Sequence, residues 1–264
     1  MLIRRNYTVD NRIGAQYYTI RNSVKTLEDF DASCKKVKEM GYKVVQLSGI
    51  GDFAAEDIKE IIDKYGLTVA CTHHAPAKYL ENIDEEIKFH KTIGCKVCGI
   101  GCFPNPSSAT IESVTQFIED FRPVIKKLAE NDLIFGYHNH ALEFIKLDGK
   151  YIFDIIFEGF KDLDNFKLIL DVYWLAYAGK NPAKFIRDYS DKIACLHYKD
   201  MKMKTGREQI MAEVGQGTLD WDDIIAASRE SSALYALVEQ DICETDPFDC
   251  LKTSYDFLTS KGFE

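Results

Sequence analysis

The six histidines of this 264-residue chain are not scattered. Five of them, His73, His74, His138, His140 and His197, fall where a short apolar run gives way to polar sequence, and His90 falls inside a helical pattern. Carboxylates occupy the same kind of boundary. Asp171 directly follows "FKLIL", and Glu239 follows "LYALV" with Gln240 and Asp241 behind it; Gln16 and Tyr18, then Asn139 and Glu143, fill two further run ends. An ionised carboxylate at the end of so apolar a run needs a partner, because burying it alone costs several kcal/mol or neutralises it. Two such carboxylates with imidazoles beside them suit a divalent cation that accepts oxygen and nitrogen donors. The competing reading is a pair of structural salt bridges made with Lys199 or Arg21.

These residues end eight β-rich runs, at 13–18, 43–47, 67–72, 97–101, 133–138, 166–171, 192–197 and 235–240. Amphipathic stretches such as "TLEDFDASCKKVKEMG", "AEDIKEIIDKYG" and "DEEIKFHKTIG" lie between them, each closing on a glycine that suits a left-handed C-cap. Strand and helix alternate throughout, and no linker or change of composition divides the chain. The expected fold is therefore α/β, a single-domain (β/α)₈ TIM barrel over residues 1–264. A doubly wound open sheet competes, but "GAQYYTIRNS" after the first run has no Gly-rich phosphate loop. In a closed barrel, reacting groups gather at the C-terminal ends of the strands, which is where the histidines and carboxylates fall. His138 and His140, two apart, point the same way on an extended strand and can both face the lumen.

Composition narrows the partners. With 33 Lys+Arg against 42 Asp+Glu the formal charge is −9, so the average surface repels phosphate backbones and anionic headgroups. A small-molecule partner is expected, with neither nucleic acid nor membrane, and a homo-oligomer is open. Residues 1–10 are polar, with no apolar core of signal-peptide length, and a cytoplasmic location is expected. Cys95, Cys98 and Cys102 are close enough to suggest zinc, but their segment is apolar and β-like, and no second paired cluster exists. Buried, reduced thiols are the expectation for the cysteines.

The segments "GAQYYTIR", "GYHNHALEF", "LDVYWLAYAG", "CLHYKDM", "EVGQGTLDW" and "LVEQD" resemble the xylose-isomerase-like barrels of the sugar phosphate isomerase/epimerase family, over nearly the whole chain. The resemblance implies a divalent metal, manganese first, with magnesium, zinc or cobalt as alternatives, held by Glu, Asp, His and Glu on successive strand ends. Asp171, His197 and Glu239 match three of these ligands. The fourth is open, because His138 occupies the position where many relatives carry the first Glu. Glu143 is the favoured ligand if the chain folds back after His140, with His138 the alternative. The resemblance also points to Gln16, His73, His74, Trp174 and Lys199 as substrate contacts. Trp174 would stack on a sugar ring or simply pack against the barrel, and Lys199 would hold a substrate oxygen or a ligand carboxylate. Glu213 is a further candidate, with Thr218 or Asp220 as the cap of the next helix.

What the resemblance implies chemically is removal of a proton beside a carbonyl of a sugar or polyol, with the metal stabilising the charge that appears. His138, His140 and Glu239 are the expected acid/base groups, and Glu143 could also serve. Isomerisation and epimerisation share this first step with elimination from a keto-sugar, so a lyase or dehydratase is the alternative. A non-catalytic sugar-binding barrel is a third reading. Apurinic endonucleases share the barrel, but here Trp174 occupies the place of a His three residues after the Asp, and the net charge is acidic.

Overall fold

In a computed structural model, which describes residues 11–104 and 106–264, the eight apolar runs form the eight strands of a closed parallel barrel. We label them β1 (Ile13–Gln16), β2 (Val44–Leu47), β3 (Thr68–Thr72), β4 (Val97–Ile100), β5 (Ile134–His138), β6 (Phe166–Asp171), β7 (Ile193–Tyr198) and β8 (Tyr235–Val238). Each strand pairs with its neighbours in sequence, and the barrel closes where β1 meets β8 with Ile13 opposite Ala236. Helices lie between the strands as the periodicity predicts. The one at Leu27–Met40 starts on Thr26, whose side chain accepts from Asp29 N at 3.1 Å, and stops at Gly41 with φ 113°.

The period of two along each strand builds the lumen in layers. Val44, Cys71, Ile169, Cys195 and Leu237 belong to the buried apolar cluster inside the barrel. Two residues further along their strands come Gln46, His73, Asp171, His197 and Glu239, so a polar layer sits directly on an apolar plug. Register sets the height of that layer: Asp171 is paired with His197 across β6 and β7, and Gln16 with Gln46 across β1 and β2. The other face of the strands packs under the helices in the larger core cluster.

Observed strand ends differ by a residue or two from the apolar runs. The first strand stops at Gln16 because Tyr18 N turns back to donate to Gln16 Oε1 at 2.9 Å. Two hairpins decorate the rim, Lys146–Leu147 with Lys150–Tyr151 and Asp200–Met203 with Gln209–Ala212, and neither has an apolar run to announce it. All eight cysteines are free, six of them buried and Cys102 and Cys243 half-buried. Among the described residues no helix is long and apolar enough to cross a membrane. Residues 1–10, on which the expectation about a signal segment rests, lie outside the described residues.

Candidate active site

Four side chains from β5, β6, β7 and the residue after β8 converge in the polar layer. His138, Asp171, His197 and Glu239 each offer one ligand atom, and these atoms lie within 4.8 Å of one another. The remaining atoms of the same groups are tied elsewhere. Asp171 Oδ1 accepts from Tyr173 N at 2.9 Å and Trp174 N at 3.2 Å, capping the helix Val172–Tyr177, which leaves Oδ2 for the centre. Glu239 Oε1 accepts from Gln16 Nε2 at 3.2 Å, which leaves Oε2. His138 Nδ1 donates to the Gly101 carbonyl at 2.8 Å, and His197 Nε2 to Gln46 Oε1 at 2.7 Å, so in the neutral rings the lone pairs of His138 Nε2 and His197 Nδ1 turn inward.

The inward atoms are acceptors facing acceptors. His197 Nδ1 is 2.8 Å from Glu239 Oε2, yet neither atom has a hydrogen-bond partner; His138 Nε2 is 3.4 Å and His197 Nδ1 3.8 Å from Asp171 Oδ2. Ligand atoms about 2.1 Å from a common ion stand roughly 3.0–3.4 Å apart in octahedral or tetrahedral arrangements. The donor set and its spacing therefore fit a divalent cation.

The electrostatics show the same surplus of negative charge. Lys199 Nζ lies 3.1 Å from Asp171 Oδ2, 3.0 Å from Glu239 Oε2 and 3.1 Å from Asp241 Oδ1, so the salt-bridge partner weighed from the sequence is present. Arg21 is not, since it donates to the carbonyls of Tyr18 and Asp241. Burial works against charge on Asp171 and Glu239, but Lys199 and the imidazoles outweigh it and hold both well below the usual carboxylate range. One ammonium against these carboxylates leaves a net negative centre. Burial likewise opposes charge on His197, and the two carboxylates overcome it and push the ring up to about 9. Burial and Glu239 together raise Asp241 to about 6.

Above the cluster opens a cavity of about 550 Å³ lined by His73, His74, His138, His140, Lys199, Glu239 and Asp241 among others. Glu143 is not brought into the four-residue group: buried on the turn Leu142–Phe144, its carboxylate accepts from Tyr137 Oη at 3.0 Å and from His140 N at 2.8 Å. The chain does fold back after His140, but it aims Glu143 at its own turn, and His138 fills the place in the group. Trp174 lies outside the cavity lining; its ring packs against His140 at 5.1 Å and under the Lys199 ammonium at 5.4 Å. Gln16 likewise positions Glu239 from behind. Glu213 accepts from Cys250 Sγ at 3.0 Å, and Asp220, not Thr218, caps the helix Trp221–Arg229.

Two residues that the sequence did not single out hold the site from behind. Gln46 fixes His197, and Glu86 pairs with His74 at 2.6 Å. Gln46 left a trace as a polar residue inside the apolar run "VVQL", whereas Glu86 reads as one more surface acid on an amphipathic helix.

A family model described as xylose isomerase-like TIM barrel matches residues 34–239. Among solved structures, a sugar phosphate isomerase/epimerase from Parabacteroides distasonis ATCC 8503 is 20% identical over 97% of both chains, with a TM-score of 0.80. A probable 3-DHS dehydratase from Bacillus anthracis is 13% identical over 94% of this chain and 98% of its own, with a TM-score of 0.73. A D-allulose 3-epimerase from Methylomonas sp. is 12% identical over 97% and 98%, with a TM-score of 0.71. At such identities the likeness is one of fold. No match was found among the curated proteins.

Proposed function

The chain belongs to the xylose isomerase-like TIM barrel family, and from that premise we propose that it is a metal-dependent enzyme that isomerises or epimerises a sugar by removing a proton next to its carbonyl. The observation that carries this reading is the convergence of unpartnered acceptors from four strand ends at the floor of a sugar-sized cavity. His138, Asp171, His197 and Glu239 would hold the ion. Two nitrogens and two oxygens suit Mn²⁺ best, and Zn²⁺, Co²⁺ or Mg²⁺ could substitute. When bound, such a cation polarises the carbonyl and its neighbouring hydroxyl as a Lewis acid.

The chain's own residues supply the rest. The Lys199 ammonium, buried yet on the cavity wall, is placed to hold a substrate oxygen as it becomes negative. Burial first and His138 second push His140 down to about 3, so its ring stays neutral and serves best as a hydrogen-bond donor to that oxygen. His138 and Glu239 line the cavity while Asp171 and His197 do not, which lets the former two meet both ion and substrate.

His138→Ala should empty the metal site, measured by elemental analysis of the purified protein. Glu143→Ala should keep its metal and lose roughly tenfold or more in turnover, because it frees the backbone that carries His140. Metal-free Glu143→Ala beside metal-replete His138→Ala would reverse the assignment.

A second reading, elimination from a 3-keto-glycoside, is favoured by one observation. A further cavity of about 340 Å³ adjoins the first and shares Ser48, His73, His74 and Ala75 with it, giving room for a second ring. Both readings are tested by incubating Mn²⁺-loaded protein in deuterated water with ketoses, inososes and 3-keto-glycosides. Deuterium should enter the carbon beside the carbonyl, in rearranged product for the first reading and with release of the aglycone for the second. Turnover with neither label nor a primary isotope effect, when chemistry is rate-limiting, would exclude proton abstraction.

A further inference from the structure

Four imidazoles line the main cavity, and they differ in what stands behind them. Burial, then the neighbouring rings, pushes His73 well down and His140 to about 3, so both take up a proton reluctantly. His138 turns Nε2 toward Asp171 and the four-residue group. His74 is the one with a carboxylate partner outside that group: its Nδ1 is 2.6 Å from Oε2 of Glu86, on the helix Ile83–Thr92. Burial acts to neutralise Glu86, but His74 outweighs it and keeps the carboxyl below its usual range, so Glu86 accepts and His74 Nδ1 donates.

The ring is held in one orientation. It meets Phe89 edge-on with centroids 4.9 Å apart and lies 5.3 Å from the His90 ring. His74, Glu86 and His90 have the residue types of a metal chelate. His90 has no lone pair to give, however, because its Nδ1 donates to the Glu86 carbonyl at 2.7 Å, which leaves Nε2 to accept from Thr72 Oγ1 at 2.7 Å. The trio is instead a buttress. His74 Nε2 has no protein partner among the described residues, and the ring lines both cavities at the wall they share.

We propose that His74, oriented and charge-balanced by Glu86, is a catalytic acid/base of this site that handles the proton of a substrate hydroxyl at the wall between the two cavities. The proposal rests on the proton-abstraction reading above. In the forward step the Nε2 lone pair takes the hydroxyl proton: an N–H bond forms, the O–H bond breaks, and its electron pair stays on oxygen. The imidazolium that results is balanced by the Glu86 carboxylate through Nδ1–H. In the return step the Nε2 proton goes to the substrate oxygen that then carries negative charge, whether the enediolate oxygen of an isomerisation or the departing oxygen of an elimination. No other reactant is needed.

The test uses Mn²⁺-loaded full-length protein with D-allulose and methyl 3-keto-β-glucoside as probes, and ¹⁵N spectra of the protein without sugar. His74→Ala should lower kcat about 10²-fold or more, with metal content and melting temperature unchanged, and millimolar imidazole should restore part of the loss. Glu86→Gln should lower kcat roughly tenfold or more without imidazole rescue, and Glu86→Asp should recover part of it. The neutral His74 ring, assigned by its disappearance in His74→Gln, should be protonated on Nδ1 and bare on Nε2. An unchanged kcat, a loss confined to KM, or an absence of imidazole rescue would overturn the proposal. If the wild type turns over neither sugar, the proton-abstraction reading fails on those substrates separately, and the spectrum decides the role of His74. A neutral ring protonated on Nε2 would remove the base and with it the proposal, while one bare on Nε2 upholds it.

Discussion

Asp171→Asn is expected to yield a folded protein that carries no metal and has no measurable turnover. The substitution keeps the shape and keeps Oδ1, so the caps to Tyr173 N and Trp174 N survive and the helix Val172–Tyr177 is not unpicked. What changes is the atom facing the cluster. An amide N–H₂ would replace Oδ2, presenting donors where His138, His197 and Lys199 now converge. Removing one partner of a buried charge cluster costs about 3–5 kcal/mol, roughly 10²–10⁴-fold in affinity. Calorimetric titration with Mn²⁺ reads this directly. A near-normal melting temperature beside it separates loss of the ion from loss of the fold. A variant that still binds a full equivalent of Mn²⁺ with wild-type affinity would show that Asp171 is a structural partner of Lys199 and nothing more.

The centre was readable in outline because barrel strands impose a strict geometry on their ends. A carboxylate directly after "FKLIL" must finish inside the barrel, and the alternation that buries Ile169 also turns Asp171 inward beside its register partner His197. The same alternation places Glu239 above Leu237. The fourth position was harder, since nothing in "HNHALEF" reveals whether the turn after His140 aims Glu143 at the lumen or at its own backbone. That depends on a hydrogen bond to Tyr137, a residue whose hydroxyl points out of the barrel into the surrounding core. Glu86 was hidden for a related reason. Its helix has acids along its exposed face, and only the packing of that helix against β3 distinguishes the one that meets His74.

The reading of "EVGQGTLDW" as a turn-rich loop before a capped helix was right in kind but missed what holds the loop, and this leads to a stability prediction. Asp200, buried directly after Lys199, gathers five donors: Met201 N at 2.8 Å and Leu219 N at 3.3 Å on Oδ1, then Gly215 N at 3.0 Å, Gly217 N at 3.1 Å and Trp221 Nε1 at 2.6 Å on Oδ2. The loop wraps so closely that a Cβ on Gly217 would stand 2.2 Å from the Met201 carbonyl and 2.3 Å from Asp200 Oδ1. Asp200→Ala should therefore lower the unfolding free energy by about 3–5 kcal/mol, since buried donors lose a charged acceptor and water reaches only some of them. For a chain of this size that is a fall of roughly 10 °C in melting temperature. Asp200→Asn should lie between, because one amide oxygen cannot serve both sets of donors and the N–H₂ faces donors itself. Urea unfolding followed by tryptophan emission suits the measurement, Trp221 being one of only two tryptophans and bonded to this carboxylate. Mn²⁺ affinity should change little, because the ligand cluster does not pass through Asp200. Equal stability of wild type and Asp200→Ala would mean that the loop holds itself by packing, and that the five hydrogen bonds add nothing beyond what water would supply.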